Sequence, residues 1–181
     1  MHPENIHPED IRIMKRIAII GCGGAGKSTL SRQLGAITGI EIIHLDRLHW
    51  KPGWTETPKD EWRRINEELV KGDSWIIDGN YGATMEIRLA AADTVIFLDY
   101  SRRVCIWRAF KRPFQGHRPD IGPGCPEKLD LEFFRWIWSF RRTSRLSLLE
   151  KVKRCCEDKD VITLRSPREA ERFLERIRRE K

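Results

Sequence analysis

Eight consecutive residues, Gly21-Cys22-Gly23-Gly24-Ala25-Gly26-Lys27-Ser28, satisfy the pattern GxxxxGK[ST]. The chemistry this spacing serves is phosphate binding. Glycines remove the side chains that would keep backbone amides away from an anion and permit positive φ angles. A helix opening near Lys27 adds its N-terminal partial charge. In that arrangement Lys27 reaches the β and γ phosphates of a nucleotide, the Ser28 hydroxyl binds the Mg²⁺ that bridges them, and Thr29 meets the α phosphate. A nucleotide with Mg²⁺ is therefore the expected ligand, with Gly21, Gly23, Gly24, Ala25 and Gly26 forming the cradle.

Phosphoryl transfer to a hydroxyl also needs a group that orients the nucleophile and takes its proton. Asp46 directly follows the apolar run Ile40–Leu45, and ligands sit beyond the carboxyl ends of parallel strands, so Asp46 is the candidate base. A turn or cap aspartate is the competing reading. Asp99 closes Thr94–Leu98 as an alternative magnesium carboxylate. His49, Trp50 and Trp54 offer aromatic faces for an acceptor, or a wedge that holds the loop to the core. Arg108 and Arg112 lie one helical turn apart and can face one target, with Arg141, Arg142 and Arg145 as a second set. Arginines there would neutralise the charge of the transferring phosphoryl group when a lid closes, or would form a solvated basic face. Arg165 and Ser166 follow the last apolar run.

Alternating strands and helices must position these groups. Arg16–Ile20, Ile40–Leu45, Ser74–Asp78, Thr94–Asp99 and Val161–Leu164 read as buried strands. Helices are expected over Ser28–Thr38, from a Thr57 cap with Pro58 in the first turn to Lys71, over Thr84–Ala91, over 101–112 and 127–153, and over Pro167–Arg179. This alternation implies an α/β fold with a parallel sheet covered by helices on both faces. Between two helical stretches, Pro113–Pro126 contains four prolines and three glycines, which reads as a mobile functional lid. The whole of 1–181 is expected to be one domain, with 1–13 an extension and 101–154 a helical lid region.

The length of 181 residues fits one core. The apolar runs are far too short to cross a bilayer, and the first residues do not read as a secretory signal, so a cytoplasmic protein without membrane contact is expected. Five cysteines without CxxC spacing are expected to be reduced and not to bind zinc. The formal charge of +7 is uneven: residues 101–154 hold 14 Lys/Arg against 5 Asp/Glu. Such a surplus attracts polyanions, whether the phosphates of a nucleotide or, weakly and non-specifically, nucleic acid.

Five segments carry a family likeness: GCGGAGKSTL at 21–30, HLDRLHWKPGW at 44–54, WIIDGNY at 75–81, SRRVCIWRAFKR at 101–112 and the late strand before Arg165. On these the chain resembles the P-loop nucleoside and nucleotide kinases, and among them the adenylate-kinase-related DNA topology modulation proteins. The resemblance implies a P-loop NTPase three-layer sandwich with a five-stranded parallel sheet and an arginine-rich lid, and an ATP-dependent kinase. It also implies that Asp46 holds the acceptor hydroxyl, that Asp78 beside Gly79 joins the Mg²⁺ water shell, that a lid arginine stacks on adenine, and that Arg165 passes the adenine edge. Where nucleoside monophosphate kinases continue with Phe-Pro-Arg, this chain has Asn80-Tyr81. The arginine that grips an acceptor phosphate is missing, and Arg88 is the candidate substitute.

The expected activity is transfer of the ATP γ-phosphoryl group to a small acceptor bound among Asp46, His49, Trp50, Gly79, Asn80, Arg88, Arg141 and Arg145. The alternative is an ATP-dependent nucleic-acid-binding regulator using 101–154. A GTPase is disfavoured because no Asn-Lys-x-Asp signature occurs. The residues do not specify the acceptor or the oligomeric state.

Overall fold

The structure is a computed structural model that describes residues 14–114, 120–126, 130–157 and 159–180. The expected extension at 1–13 lies outside the described residues.

Strand β1 (Arg16–Gly21) is an apolar run buried on both faces after its first residue, as befits the centre of a parallel sheet. It is followed by the glycine loop and α1 (Lys27–Thr38), then β2 (Ile42–His44), a five-residue helix α2 (Leu45–His49) and a two-stranded ribbon of β3 (Trp50–Lys51) and β4 (Thr55–Glu56). Helix α3 (Lys59–Leu69), β5 (Trp75–Asp78), α4 (Met85–Ala91) and β6 (Thr94–Leu98) complete the first half. Helix α5 (Arg102–Lys111), a 3₁₀ turn (Arg112–Phe114), α6 (Leu131–Ser139), α7 (Ser144–Cys155), β7 (Asp160–Leu164) and α8 (Pro167–Arg179) follow.

The five long strands form one parallel sheet in the order β2-β5-β1-β6-β7. The chain leaves β1 toward one edge and later crosses to the other, and right-handed crossovers in opposite directions put helices on opposite faces. Register aligns Ile19 with Asp78, His44 with Asp78 and Gly21 with Leu98. The ends of β1, β2, β5 and β6 therefore meet along one edge, the switch point where ligands of open α/β sheets bind. The core beneath it is the run Ile17, Ile19, Ile20, Ile76, Ile77, Val95, Ile96, Phe97 and Leu98, each at most 1% exposed.

Three local expectations are corrected. The apolar run Ile40–Leu45 is a strand only over Ile42–His44, and Leu45 turns into α2 with its side chain in the core. Thr57 does not cap α3: Pro58 holds the cap position, and the Thr57 hydroxyl donates backward to the carbonyls of Leu48 (3.2 Å) and His49 (2.9 Å). The helical stretch 127–153 breaks between Ser139 and Ser144. There the Ser139 and Thr143 hydroxyls bond back to carbonyls one turn earlier, in competition with helix continuation. Asp130 caps α6 through the amides of Glu132 (2.8 Å) and Phe133 (3.4 Å). Residues 127–129 lie outside the described residues.

Candidate active site

The glycine loop emerges from the centre of the sheet and is packed from outside by the lid helices. Gly24 has φ +78°, and a Cβ there would collide with the backbone carbonyl of Cys105 on α5. Gly23 is also crowded, by Phe133 and Trp136 of α6; a Cβ would lie 2.7 and 2.9 Å from their rings. No side chain caps α1 and no acidic residue stands in its first turn, so the amides after Gly26 keep their anion-binding character. Lys27 Nζ donates to the carbonyls of Gly21 (3.0 Å) and Cys22 (3.2 Å). Burial lowers the Lys27 pKa, against the opposing pull of Asp46 and then Asp78. The ammonium thus lies within the field of both predicted carboxylates.

Asn80 fixes where the loop begins. Its amide accepts from Gly21 N–H (3.0 Å) and donates to Gly21 C=O (2.8 Å), tying the end of β5 to the end of β1. Arg88 braces this connection from below. The sequence offers Arg88 as the arginine that reaches an acceptor phosphate; instead it is 2% exposed. Its Nη2 donates to the carbonyls of Asn80 (2.6 Å) and Gly79 (3.4 Å), and its Nη1 to Thr84 Oγ1 (3.1 Å) and to Asn66 Oδ1. Burial lowers its pKa to about 9, which leaves it charged at neutral pH. Asn66, Asn80 and Arg88 are one chain of hydrogen bonds that ends on the phosphate loop.

Asp78, 3% exposed, accepts from Ser31 Oγ (2.7 Å) and pairs with His44 Nδ1 (2.6 Å), both through Oδ2. The His44 pKa is raised: burial acts against the charge, and the bond and proximity to Asp78 outweigh it. Asp46 stands in the first turn of α2, and Tyr81 Oη donates to its Oδ1 (2.7 Å). Tyr81 has φ +39°, a backbone conformation of about 1–3 kcal/mol cost for a non-glycine residue that is commonly kept at functional positions. Burial, followed by the neighbouring Asp46 charge, raises the Tyr81 pKa, so the phenol stays a hydrogen-bond donor. Tyr81 and His44 are not among the site residues singled out in the sequence, although they end and begin the likeness segments 75–81 and 44–54.

Of the lid arginines, Arg108 reaches the loop: its Nη1 donates to Ala25 C=O (3.0 Å), and its guanidinium lies 5.6 Å from the Tyr100 ring centroid. Arg112 lies 5.8 Å from the Phe133 ring centroid, close enough for its charge to depress the Lys27 pKa. The second set goes elsewhere. Arg145 forms a bidentate pair with Asp99 (2.9 and 2.7 Å), Arg141 stands 4.0 Å from the same carboxylate, and Arg142 is exposed. The bond to Asp99 raises the Arg145 pKa. Arg165 is exposed, its amide held by Glu169 (2.9 Å), and Thr29 is exposed beside Ser28 on α1.

The described part of the proline-rich loop is docked on the β3–β4 ribbon. Gly53 N–H donates to Gly124 C=O (2.9 Å), Trp54 Nε1 to Pro126 C=O (3.2 Å) and Cys125 Sγ to Lys51 C=O (3.3 Å). Residues 120–126 thus form a strap that joins the lid region to the β3–β4 ribbon beyond Asp46. Residues 115–119 lie outside the described residues.

The glycine loop between β1 and α1 and the parallel order β2-β5-β1-β6-β7 define the P-loop kinase fold. Solved structures that share it include a shikimate kinase from Acinetobacter baumannii in complex with shikimate, at 15% identity over 94% of each chain and a TM-score of 0.60. A shikimate kinase from Bacteroides thetaiotaomicron matches at 20% identity over 92% of this chain and 97% of that chain, TM-score 0.55. A sugar kinase from Janibacter sp. HTCC2649 matches at 21% identity over 90% and 91%, TM-score 0.52. No family model and no curated protein sequence matches the chain. Among the described residues no helix is long and apolar enough to cross a membrane.

Proposed function

We propose that the protein is a Mg²⁺- and ATP-dependent phosphotransferase that moves the γ-phosphoryl group of ATP to a hydroxyl of a small acceptor. The observation that carries this reading is the position of Lys27 within the field of both Asp46 and Asp78, with Arg108 bonded to the same glycine loop. The loop amides and Lys27 bind the phosphates. Ser28 and Asp78 suit Mg²⁺: one offers a hydroxyl at the loop, and the other is a buried carboxylate whose described partners both take Oδ2, leaving Oδ1 for a metal-bound water. Bound there, the ion would neutralise charge on the β and γ phosphate oxygens. Asp46, oriented by Tyr81, takes the proton of the acceptor hydroxyl as its oxygen bonds the γ phosphorus and the bond from that phosphorus to the β–γ bridging oxygen breaks, releasing ADP. Arg108 and Arg112 counter the charge on the transferring group. Gly79 and Asn80 border the acceptor side, and Arg165 lies on the adenine side.

ADP release measured with MgATP across nucleosides, nucleoside monophosphates, sugars and short polyols tests this. The expected result is one acceptor class giving turnover that Lys27→Ala and Asp46→Asn both abolish. Uniformly slow hydrolysis, lost in Lys27→Ala and unchanged in Asp46→Asn, would overturn it in favour of an ATP-dependent nucleic-acid-binding role for the basic segment 101–154.

A further inference from the structure

Two thiols meet where α5 is pressed onto the glycine loop. Cys22, the second residue of the loop, is 3% exposed, and Cys105, on the inner face of α5, is 0% exposed. Both are free, and their side chains share a hydrogen bond. The backbones that carry them abut as well. The Cys105 Cα would lie 3.3 Å from a Cβ at Gly24, two residues beyond Cys22, and Arg108 of the same helix bonds Ala25 C=O (3.0 Å). The phosphotransfer chemistry uses neither sulfur.

The two thiols are not equivalent. The bond from Cys22 holds the Cys105 pKa below its ordinary value; burial opposes this, and Lys27, Arg108 and Arg112 add to it. These cations have other partners too, and their field still favours the thiolate at Cys105. The same bond, and then burial, raise the Cys22 pKa. Cysteines beside cations are the reactive ones, whereas those buried among apolar groups are inert. Elsewhere Cys125 Sγ donates to Lys51 C=O (3.3 Å) and Cys156 Sγ to Leu89 C=O (3.9 Å), which requires the protonated thiol.

We propose that Cys22 and Cys105 are a modification site for hydrogen peroxide, whose product is a disulfide that clamps the glycine loop to α5 and weakens nucleotide binding. The Cys105 thiolate attacks one peroxide oxygen; the S–O bond forms as the O–O bond breaks, and the departing hydroxide takes the Cys22 proton and leaves as water. The Cys22 thiolate then attacks the Cys105 sulfenic sulfur; the S–S bond forms as the S–O bond breaks, and the second hydroxide leaves as water with a proton from solvent, equal to the one Cys105 gave up. The sulfurs lose two electrons and the peroxide gains them, so two thiols and one peroxide give one disulfide and two waters. Enclosure selects the co-reactant, since peroxide is close to water in size and a glutathione disulfide is not.

An S–S bond is only about 2.03–2.05 Å long, so closing it draws Cys22 toward α5. Gly24 already abuts the Cys105 carbonyl, and the loop cannot follow as a rigid unit. Its amides turn away from the positions that phosphates need, and a misplacement of about 1 Å can cost on the order of 10²-fold. Disulfide formation is independent of the phosphotransferase reading; its effect on nucleotide rests on that reading.

Reduced wild-type protein is treated with hydrogen peroxide or, in parallel, with oxidised glutathione, then alkylated, digested without reductant and mapped by mass spectrometry. Calorimetry with Mg·ATP is run before treatment, after it, and after dithiothreitol. Peroxide should join the Cys22 and Cys105 peptides and oxidised glutathione should not. The joined protein should bind Mg·ATP about tenfold or more weakly, with full recovery in dithiothreitol. Cys105→Ala should bind Mg·ATP like reduced wild type and be indifferent to peroxide. The wild-type map needs no variant, so it decides the pairing even where alanine in the core loosens the fold. No joined peptide, a link between other cysteines instead, or unchanged Mg·ATP affinity in the joined protein overturns the proposal. An equal yield with oxidised glutathione overturns peroxide as the selected co-reactant. Reduced protein that does not bind Mg·ATP overturns the phosphotransferase reading and the effect on nucleotide together, while the peptide map still decides the disulfide.

Discussion

Replacing Asn80 with alanine removes both bonds that hold Gly21 at the start of the phosphate loop. The two losses are unequal. The Gly21 carbonyl keeps Lys27 Nζ as a second donor at 3.0 Å, so losing Asn80 Nδ2 removes only one ordinary bond, about 0.5–1.5 kcal/mol. The Gly21 amide, in a buried residue, is left without Asn80 Oδ1 and bears a desolvation cost of about 1–3 kcal/mol. Asn80→Ala should therefore lose about 2–4 kcal/mol of unfolding free energy. A loop released at its first residue must be reordered on binding, and each 1.4 kcal/mol of that is about tenfold in affinity, so Mg·ATP should bind roughly ten times more weakly. Asn80→Asp keeps an acceptor for the amide and should lose less on both counts. Urea unfolding and calorimetric titration with Mg·ATP measure the two quantities. An alanine variant within about 0.5 kcal/mol of wild type that binds Mg·ATP with unchanged affinity would show that the amide pair does not position the loop.

Arg88→Met should destabilise the fold by about 3–5 kcal/mol, because Asn66 and the Gly79–Asn80 carbonyls lose a buried charged partner; thermal unfolding of Arg88→Met and Arg88→Lys checks it, and wild-type stability in both would refute the brace. The lowered Lys27 pKa means that the folded state releases this proton below the ordinary 10.5, so Mg·ATP affinity should fall as pH rises through a midpoint under that value. Asp46→Asn removes the largest of the charges that raise the Lys27 pKa and should move that midpoint to lower pH, which a Kd titration from pH 7 to 10.5 detects; a shift upward would contradict the assignment. Arg108→Ala should reduce kcat by about 10²–10³ at near-normal stability if the guanidinium meets transition-state charge, and an unchanged kcat would confine Arg108 to packing on Ala25.

The glycine loop was legible in the sequence because its turn is local: eight adjacent residues specify the passage from β1 into α1. Helix α8 was legible for the same reason, with Pro167 in its first turn, where a missing N–H costs nothing. What failed was long-range. Ile40–Leu45 is apolar throughout, and nothing in it marks where extended backbone becomes helix; the burial of Leu45 under Gly79 decides that. Arg88 looks like a surface arginine until Asn66 and Asn80 arrive from two other elements. The docking of the strap rests on carbonyls of Lys51 and Pro126 and on Gly53 and Gly124, groups that every residue carries and no sequence pattern reveals. The pairing of Asp99 with Arg145 spans 46 residues and was equally hidden.

Trp136 stands against Gly23 of the glycine loop, stacked at 5.8 Å on Phe133. An indole at that place makes the loop its own reporter, since its emission depends on the polarity and motion of what it touches. Trp50 and Trp54 would do the same on the proposed acceptor side, so three of the seven tryptophans border the two proposed substrate sites. Paired variants, Trp136→Phe against Trp50→Phe/Trp54→Phe, share the emission of the other four tryptophans, so the difference between their stopped-flow traces reads the order in which nucleotide and acceptor arrive, with no dye attached to either ligand.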